Sequence, residues 1–280
     1  MKFVMEKAWD ETVSLLKGNM GLLATVAGLL VFLPAVAIGL LFPIEVTGQE
    51  PADDATIEQI LEMMAAQFSD MAWIILVTTL LSGFASLAMM ALLRRRAAPT
   101  VGQAISEAAG LLPTYLATII LQMFIIFGIG YLLVGLPYQM GAPGWMVLGI
   151  LILLPVWMYL FVKFSVSVAA IVIDGVRNPV DALRRSWSLT KGNSFRIFFF
   201  FLLIGLAAAI ILAILSFAVG AVLSLLPATI ETIGHVLYEG AINLVAAVFG
   251  AALTVAIHAQ LRRLREPPEE AASADTTPIE

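Results

Sequence analysis

The chain has 280 residues, 61% of them hydrophobic and 12% charged, with a net charge of −5 and a mean hydropathy of +0.99. A soluble domain carries roughly 45–50% apolar and about 25% charged residues, and a single soluble core stops growing near roughly 250–300 residues. The composition therefore excludes a soluble enzyme, a nucleic-acid-binding domain and a disordered chain, and lipid becomes the solvent for most of the surface.

There is no cysteine, hence no disulfide frame, thiol nucleophile or thiolate metal site. Lys2, Lys7 and Lys17 precede an apolar run that ends in Phe42, and Ala35-Val36-Ala37 resembles a signal-peptide cleavage site. The run is longer than a typical h-region and is preceded by Glu6, Asp10 and Glu11, so it reads as an uncleaved span. A bilayer core of about 30 Å takes roughly 20 apolar residues in helix, and six runs qualify: about 20–42, 71–93, 114–136, 145–163, 197–224 and 240–261. None alternates with period two as a barrel strand would. The fold class predicted is all-α: a polytopic integral membrane protein.

Between the first two spans, 43–70 is acidic, with Glu45, Glu50, Asp53, Asp54, Glu58, Glu62 and Asp70. Ile57, Ile60, Leu61, Met64 and Phe68 have helical spacing, and Asp53 or Asp54 is placed to cap them. This predicts a short amphipathic helix on the outer membrane surface. The connections 43–70, 137–144 and 225–239 hold no Lys or Arg, whereas all fifteen lie in the alternate segments. The positive-inside rule then puts both termini in the cytoplasm. Two domains follow: a six-span membrane domain over 1–265, and an acidic, disordered cytoplasmic tail over 266–280.

Residues 8–19, AWDETVSLLKGN, and 182–193, ALRRSWSLTKGN, are identical at six of twelve positions, and a weaker copy, AISEAAGLLPTY, occupies 104–115. Each precedes an odd-numbered span. The chain therefore reads as three pseudo-repeated hairpins, each preceded by a cytoplasmic interfacial helix. In the third copy Asn178 is placed to cap, Pro179 suits the first turn, Asp181 favours the helix N-terminus and Gly192 a left-handed end. Thr100 and Gln103 form a capping-box pair before the second. Trp187, Arg184, Arg185 and Lys191, with Lys17 and Lys163, make a candidate lipid-headgroup contact. The alternative reading of the same residues is an elbow that anchors the hairpin.

The stretch from Tyr159 to Gly205 contains Lys163-Phe164, Asp174, and then Ala182, Leu183, Ser186, Trp187, Leu189, Thr190 and Gly192. This pattern resembles the glycerophosphoryl diester phosphodiesterase membrane-domain family, in its membrane region. The resemblance implies a bacterial inner-membrane protein. The catalytic barrel of the enzymes that name the family would need roughly 250 residues, and no soluble stretch here exceeds about 30, so the phosphodiesterase activity is not carried over.

Little else in the sequence carries chemistry. His235, near Glu231 and Glu239, and His258 lie on opposite sides of the bilayer and give no metal set or catalytic triad. Lys163 falls about 27 Å along its helix from Trp145, at the cytoplasmic interface, where it can snorkel. Thr78, Thr79, Ser82, Gln122, Asn243 and Thr254 are neutral polar groups within spans, and Gln122 with Asn243 is the candidate intramembrane polar site. Pro34 and Pro155 are expected to kink their spans. Phe164 to Ile173, ten apolar residues beyond Lys163, are expected to bend along the cytoplasmic face or tuck beneath the bundle.

The reading is a non-catalytic membrane protein without cofactor or metal, a scaffold or support factor in lipid or envelope metabolism. Its partners are membrane lipids, with no nucleic acid. The alternative is a transporter or channel for a lipid-like or small amphipathic substrate, using a cavity on the pseudo-threefold axis; an intramembrane enzyme is disfavoured by the missing nucleophile and metal ligands.

Overall fold

The computed structural model describes residues 2–42, 56–94 and 99–266, and these are helical without a strand among them. Six stretches are long and apolar enough to cross a bilayer: Met5–Leu41, Met71–Leu92, Val101–Gln139, Gly144–Ile173, Ser194–Leu223 and Ala228–Arg265. The acidic segment through Asp54, Arg95, Arg96 and the tail beyond Glu266 lie outside the described residues.

Helix α1 (Met5–Ala27) continues through a wider π-type turn, Gly28–Phe32, into α2 (Leu33–Leu41). A second such turn, Tyr131–Gly135, joins α4 (Val101–Gly130) to α5 (Leu136–Gln139). Each is followed by a proline at the second position of the next helix, Pro34 and Pro137. A proline has no N–H to offer the preceding turn and its ring crowds the carbonyl there, and one extra residue per turn relieves both. Pro113 and Pro155 sit inside uninterrupted helices α4 and α6 (Pro143–Phe164).

The predicted outer amphipathic helix is instead the start of α3 (Ile57–Leu92), one continuous helix of 36 residues. Its cap is Thr56, whose hydroxyl accepts from the Gln59 N–H while Gln59 Oε1 accepts from the Thr56 N–H. The capping box suffices, and no break follows that would separate the amphipathic turns from the span.

Two of the three expected interfacial helices also merge with their spans. Residues 8–19 are the middle of α1, and 104–115 lie within α4, behind the predicted Thr100–Gln103 capping box. The third alone is discrete, as α8 (Pro179–Thr190), capped by Asn178 Oδ1 on the Val180 N–H at 2.9 Å. Gly192 then turns the chain with φ of +83° into α9 (Ser194–Leu223). Lys17-Gly18-Asn19 stays helical where Lys191-Gly192-Asn193 turns because the second is held from outside. Asn193 Oδ1 accepts the Phe3 N–H at 2.8 Å, and the Lys191 carbonyl accepts from Arg265 at 2.6 Å.

Helix α10 (Ala228–Arg265) packs on α1, α2, α3, α8 and α9 and forms the spine of the bundle. Burial is concentrated toward one end, where Leu15 to Val31, Ala85 to Leu93, Ala104 to Tyr115 and Val248 to Ala256 form one core. Phe3, Val162, Leu189, Ile197 and Ile257 form a second beside it. Arg94, Lys163, Arg185, Arg196, Arg262, Arg263 and Arg265 gather on the segments around this end, which is the basic end of the molecule.

Candidate functional site

The basic end is built around the break between α6 and α8. Helix α6 stops at Phe164, and after Ser165 and Val166 the chain resumes as α7 (Ser167–Ile173). Ser167, Ala169, Ala170, Ile171 and Val172 are buried, so of the two courses expected for this apolar piece it leaves the surface and packs against the bundle. Ser186 donates to the Lys163 carbonyl at 2.6 Å and fastens α8 to the end of α6. Ala182, Leu183, Ser186, Leu189 and Thr190 of the family pattern are all buried against that junction, so most of the pattern encodes packing.

Directly after α7 stands Asp174. Its Oδ2 accepts from Arg185 Nε at 2.8 Å and lies 3.1 Å from His258 Nε2, while Oδ1 is 3.5 Å from Arg262. Glu266 closes the set, accepting from Arg185 at 2.6 Å and from Arg262 at 3.1 Å. Burial alone would raise the Asp174 carboxyl, but the bonds and charges of His258 and Arg185 outweigh it and hold it at about 2. Glu266 is also lowered, by its bond to Arg185 first, and burial opposes that only in part. The Arg185 guanidinium is raised: burial acts against its charge, and Asp174 and Glu266 overcome it.

The expected lipid-contact residues therefore divide. Arg184 projects into solvent, with a side chain 78% exposed and Asp181 as its ion-pair partner at 3.6 Å. Arg185 is instead engaged by two carboxylates, Asp174 and Glu266, with its side chain 28% exposed. Lys17 is exposed on α1 and joined to α8 by no described ion pair or hydrogen bond. Lys163 does not snorkel outward: it is 2% exposed, with Nζ 5.0 Å from the Trp187 ring and 5.3 Å from the Tyr159 ring. Rings at this distance supply a cation–π attraction that partly replaces the lost water. The charges of Lys191 and Arg265 act on the same ammonium, and among the described residues no carboxylate forms an ion pair with Lys163, Lys191 or Arg265. Trp187, whose ring lies against Lys163, is 39% exposed.

Gln122 and Asn243 do not share a site. The Gln122 amide donates to Ser167 at 2.9 Å and ties α4 to α7. Asn243 lines a cavity of about 550 Å³ between the first span, α3, α4 and α10, together with Thr78, Thr79, Ser82 and Tyr115. Its apolar wall includes Leu30, Val31, Pro34 and Leu81. Gly83 admits Tyr115 there, because a Cβ at that position would stand 2.3 Å from the ring. His235 and His258 lie at opposite ends of α10. The meeting of Asp174 with His258 and Arg262 escaped the sequence reading, in which His258 entered only as a histidine on the opposite side of the bilayer from His235. The one available signal was a histidine inside the apolar run Leu253 to Leu261.

This fold and this charged end define a polytopic α-helical membrane protein. Its residues 136–261 match the family described as the membrane domain of glycerophosphoryl diester phosphodiesterase. That match encloses Tyr159 to Gly205 and bears out the resemblance read from those residues. No curated protein and no solved structure matches the chain.

Proposed function

We propose that this chain is a non-catalytic protein of the bacterial inner membrane, a scaffold or support factor in lipid or envelope metabolism. Its basic end faces the cytoplasm and holds anionic lipid. In this reading the three hairpins are units of an internal repeat, of which only the third keeps a free interfacial helix. The observation that carries it is that Lys191 and Arg265 stand exposed near the buried Lys163–Trp187 pair, and that none of the three cations has an ion-paired carboxylate among the described residues. A phosphate at a membrane boundary gains about 1 kcal/mol for each basic residue it meets, and a Trp ring is favoured at that depth. Replacing Lys191→Gln with Arg265→Gln in the full chain is expected to lower retention of phosphatidylglycerol through purification by about an order of magnitude. Retention equal to that of the unaltered protein, read by lipid mass spectrometry, would overturn the proposal.

A second reading, movement of a lipid-like or small amphipathic substrate, is supported by the cavity at Asn243. A route past Gln122 has no such support, because Ser167 engages its amide. Liposomes carrying the protein would exchange a fluorescent short-chain lipid between leaflets faster than protein-free liposomes; equal rates would sink this reading.

A further inference from the structure

The cavity at Asn243 lies within the membrane-crossing zone. Ser82 is the twelfth of the 22 residues in Met71–Leu92 and faces the opening with Thr79 three residues before it. Thr78 returns its hydroxyl to the Ile74 carbonyl at 2.7 Å, the ordinary way for a span to satisfy such a group. Thr79, Ser82, Tyr115 and Asn243 make no side-chain hydrogen bond among the described residues, yet all four line the same space. Hydrocarbon cannot satisfy them, and leaving them unmade is costly.

The same lining contains no Asp, Glu, Lys, Arg or His. A phosphate or ammonium would enter without a counter-charge in a low dielectric, which is strongly disfavoured. The occupant must therefore be uncharged and hydrogen-bonding at one end. The wall of Leu30, Val31, Pro34 and Leu81 offers its other end an apolar surface. A volume of about 550 Å³ falls inside the roughly 300–1,000 Å³ typical of small-molecule sites.

We propose that this cavity binds an uncharged glycerolipid of the diacylglycerol class, whose hydroxyl and ester oxygens meet Asn243, Ser82, Thr79 and Tyr115 while its chains lie against the Pro34 wall. The site is separate from the anionic-lipid contact at the basic end, and it stands whether or not the bound lipid is moved.

The test uses the full chain in phosphatidylcholine nanodiscs and three photoactivatable probes: a diacylglycerol, a phosphatidylglycerol with the same chains, and a plain alkane. The diacylglycerol probe is expected to label the segments 78–83 and 243–247 well above the other two. Asn243→Leu is expected to reduce that labelling about five-fold, and the Asn243→Leu, Ser82→Ala pair further, with phosphatidylglycerol labelling near α8 unchanged. That last readout shows the variants folded and keeps the two lipid sites distinguishable. Equal labelling by all three probes in the unaltered chain marks an apolar crevice and overturns the proposal. So does an absence of diacylglycerol labelling, or equal labelling in variants whose α8 site is intact.

Discussion

Asp174 accepts from Arg185 and lies against His258 through one oxygen, while its other oxygen faces Arg262, and its side chain is 9% exposed. Removing the carboxylate would leave the buried His258 ring without its partner and Arg185 held by Glu266 alone. Asp174→Asn is therefore expected to destabilise the protein by on the order of 2 kcal/mol, as a fall from the ordinary 3.8 to about 2 implies. The pH dependence has a definite sign. A carboxyl whose pKa is depressed by folding contributes its stability above the unfolded value and loses it as pH falls through the folded one. The difference in thermal midpoint between unaltered protein and Asp174→Asn in detergent should be full above pH 4 and close by about pH 2. A gap that stays constant across that window would refute the ion network as its source. The sequence made Asp174 and His258 visible separately, as a residue of the family pattern and as one of two histidines on opposite sides of the bilayer, but they are 84 positions apart. Only the reversal of α7 into the bundle brings them together, and nothing in local spacing encodes it. Arg185 misled for the same reason, since its neighbour Arg184 has an identical charge and the opposite fate.

The helices show where local signals suffice and where they do not. Six spans were legible because length and hydropathy alone decide whether a segment can cross hydrocarbon, and the Thr100 and Asn178 caps were legible because a cap bonds within three residues. The repeated Lys-Gly-Asn could not be read that way. One copy continues a helix and the other reverses the chain, and the difference is made by Phe3 and Arg265, far off in sequence. The two glycines should accordingly respond to the same substitution with opposite sign. Gly18 lies inside α1 with nothing within 4 Å of an added Cβ, so Gly18→Ala is expected to stabilise by about 0.5–1 kcal/mol through helix propensity. Gly192 holds φ at +83°, where a Cβ costs about 1 kcal/mol or more, so Gly192→Ala is expected to destabilise. Thermal midpoints measured side by side in one detergent decide it, and shifts of equal sign would show that both copies adopt the same backbone.

At the scale of the molecule, the helices are longer than the bilayer. Met5–Leu41 has 37 residues and Ala228–Arg265 has 38, each about 55 Å at 1.5 Å per residue against a hydrocarbon core of about 30 Å. The surplus must project, and at the basic end it carries the cations that join α1, α8 and α10. Lys and Arg resist crossing during insertion, so the confinement of all fifteen to alternate segments predicts which way the chain enters. The same rule predicts that the acidic 43–70 segment, which holds no Lys or Arg, lies on the opposite side. The net charge of −5 is in this view a difference between two membrane faces. A reporter active only outside the cytoplasm should be active when fused after Gly48 and silent when fused after Glu280. Activity at both positions, or at neither, would mean an even number of crossings between them, and the sorting of charge would need another cause.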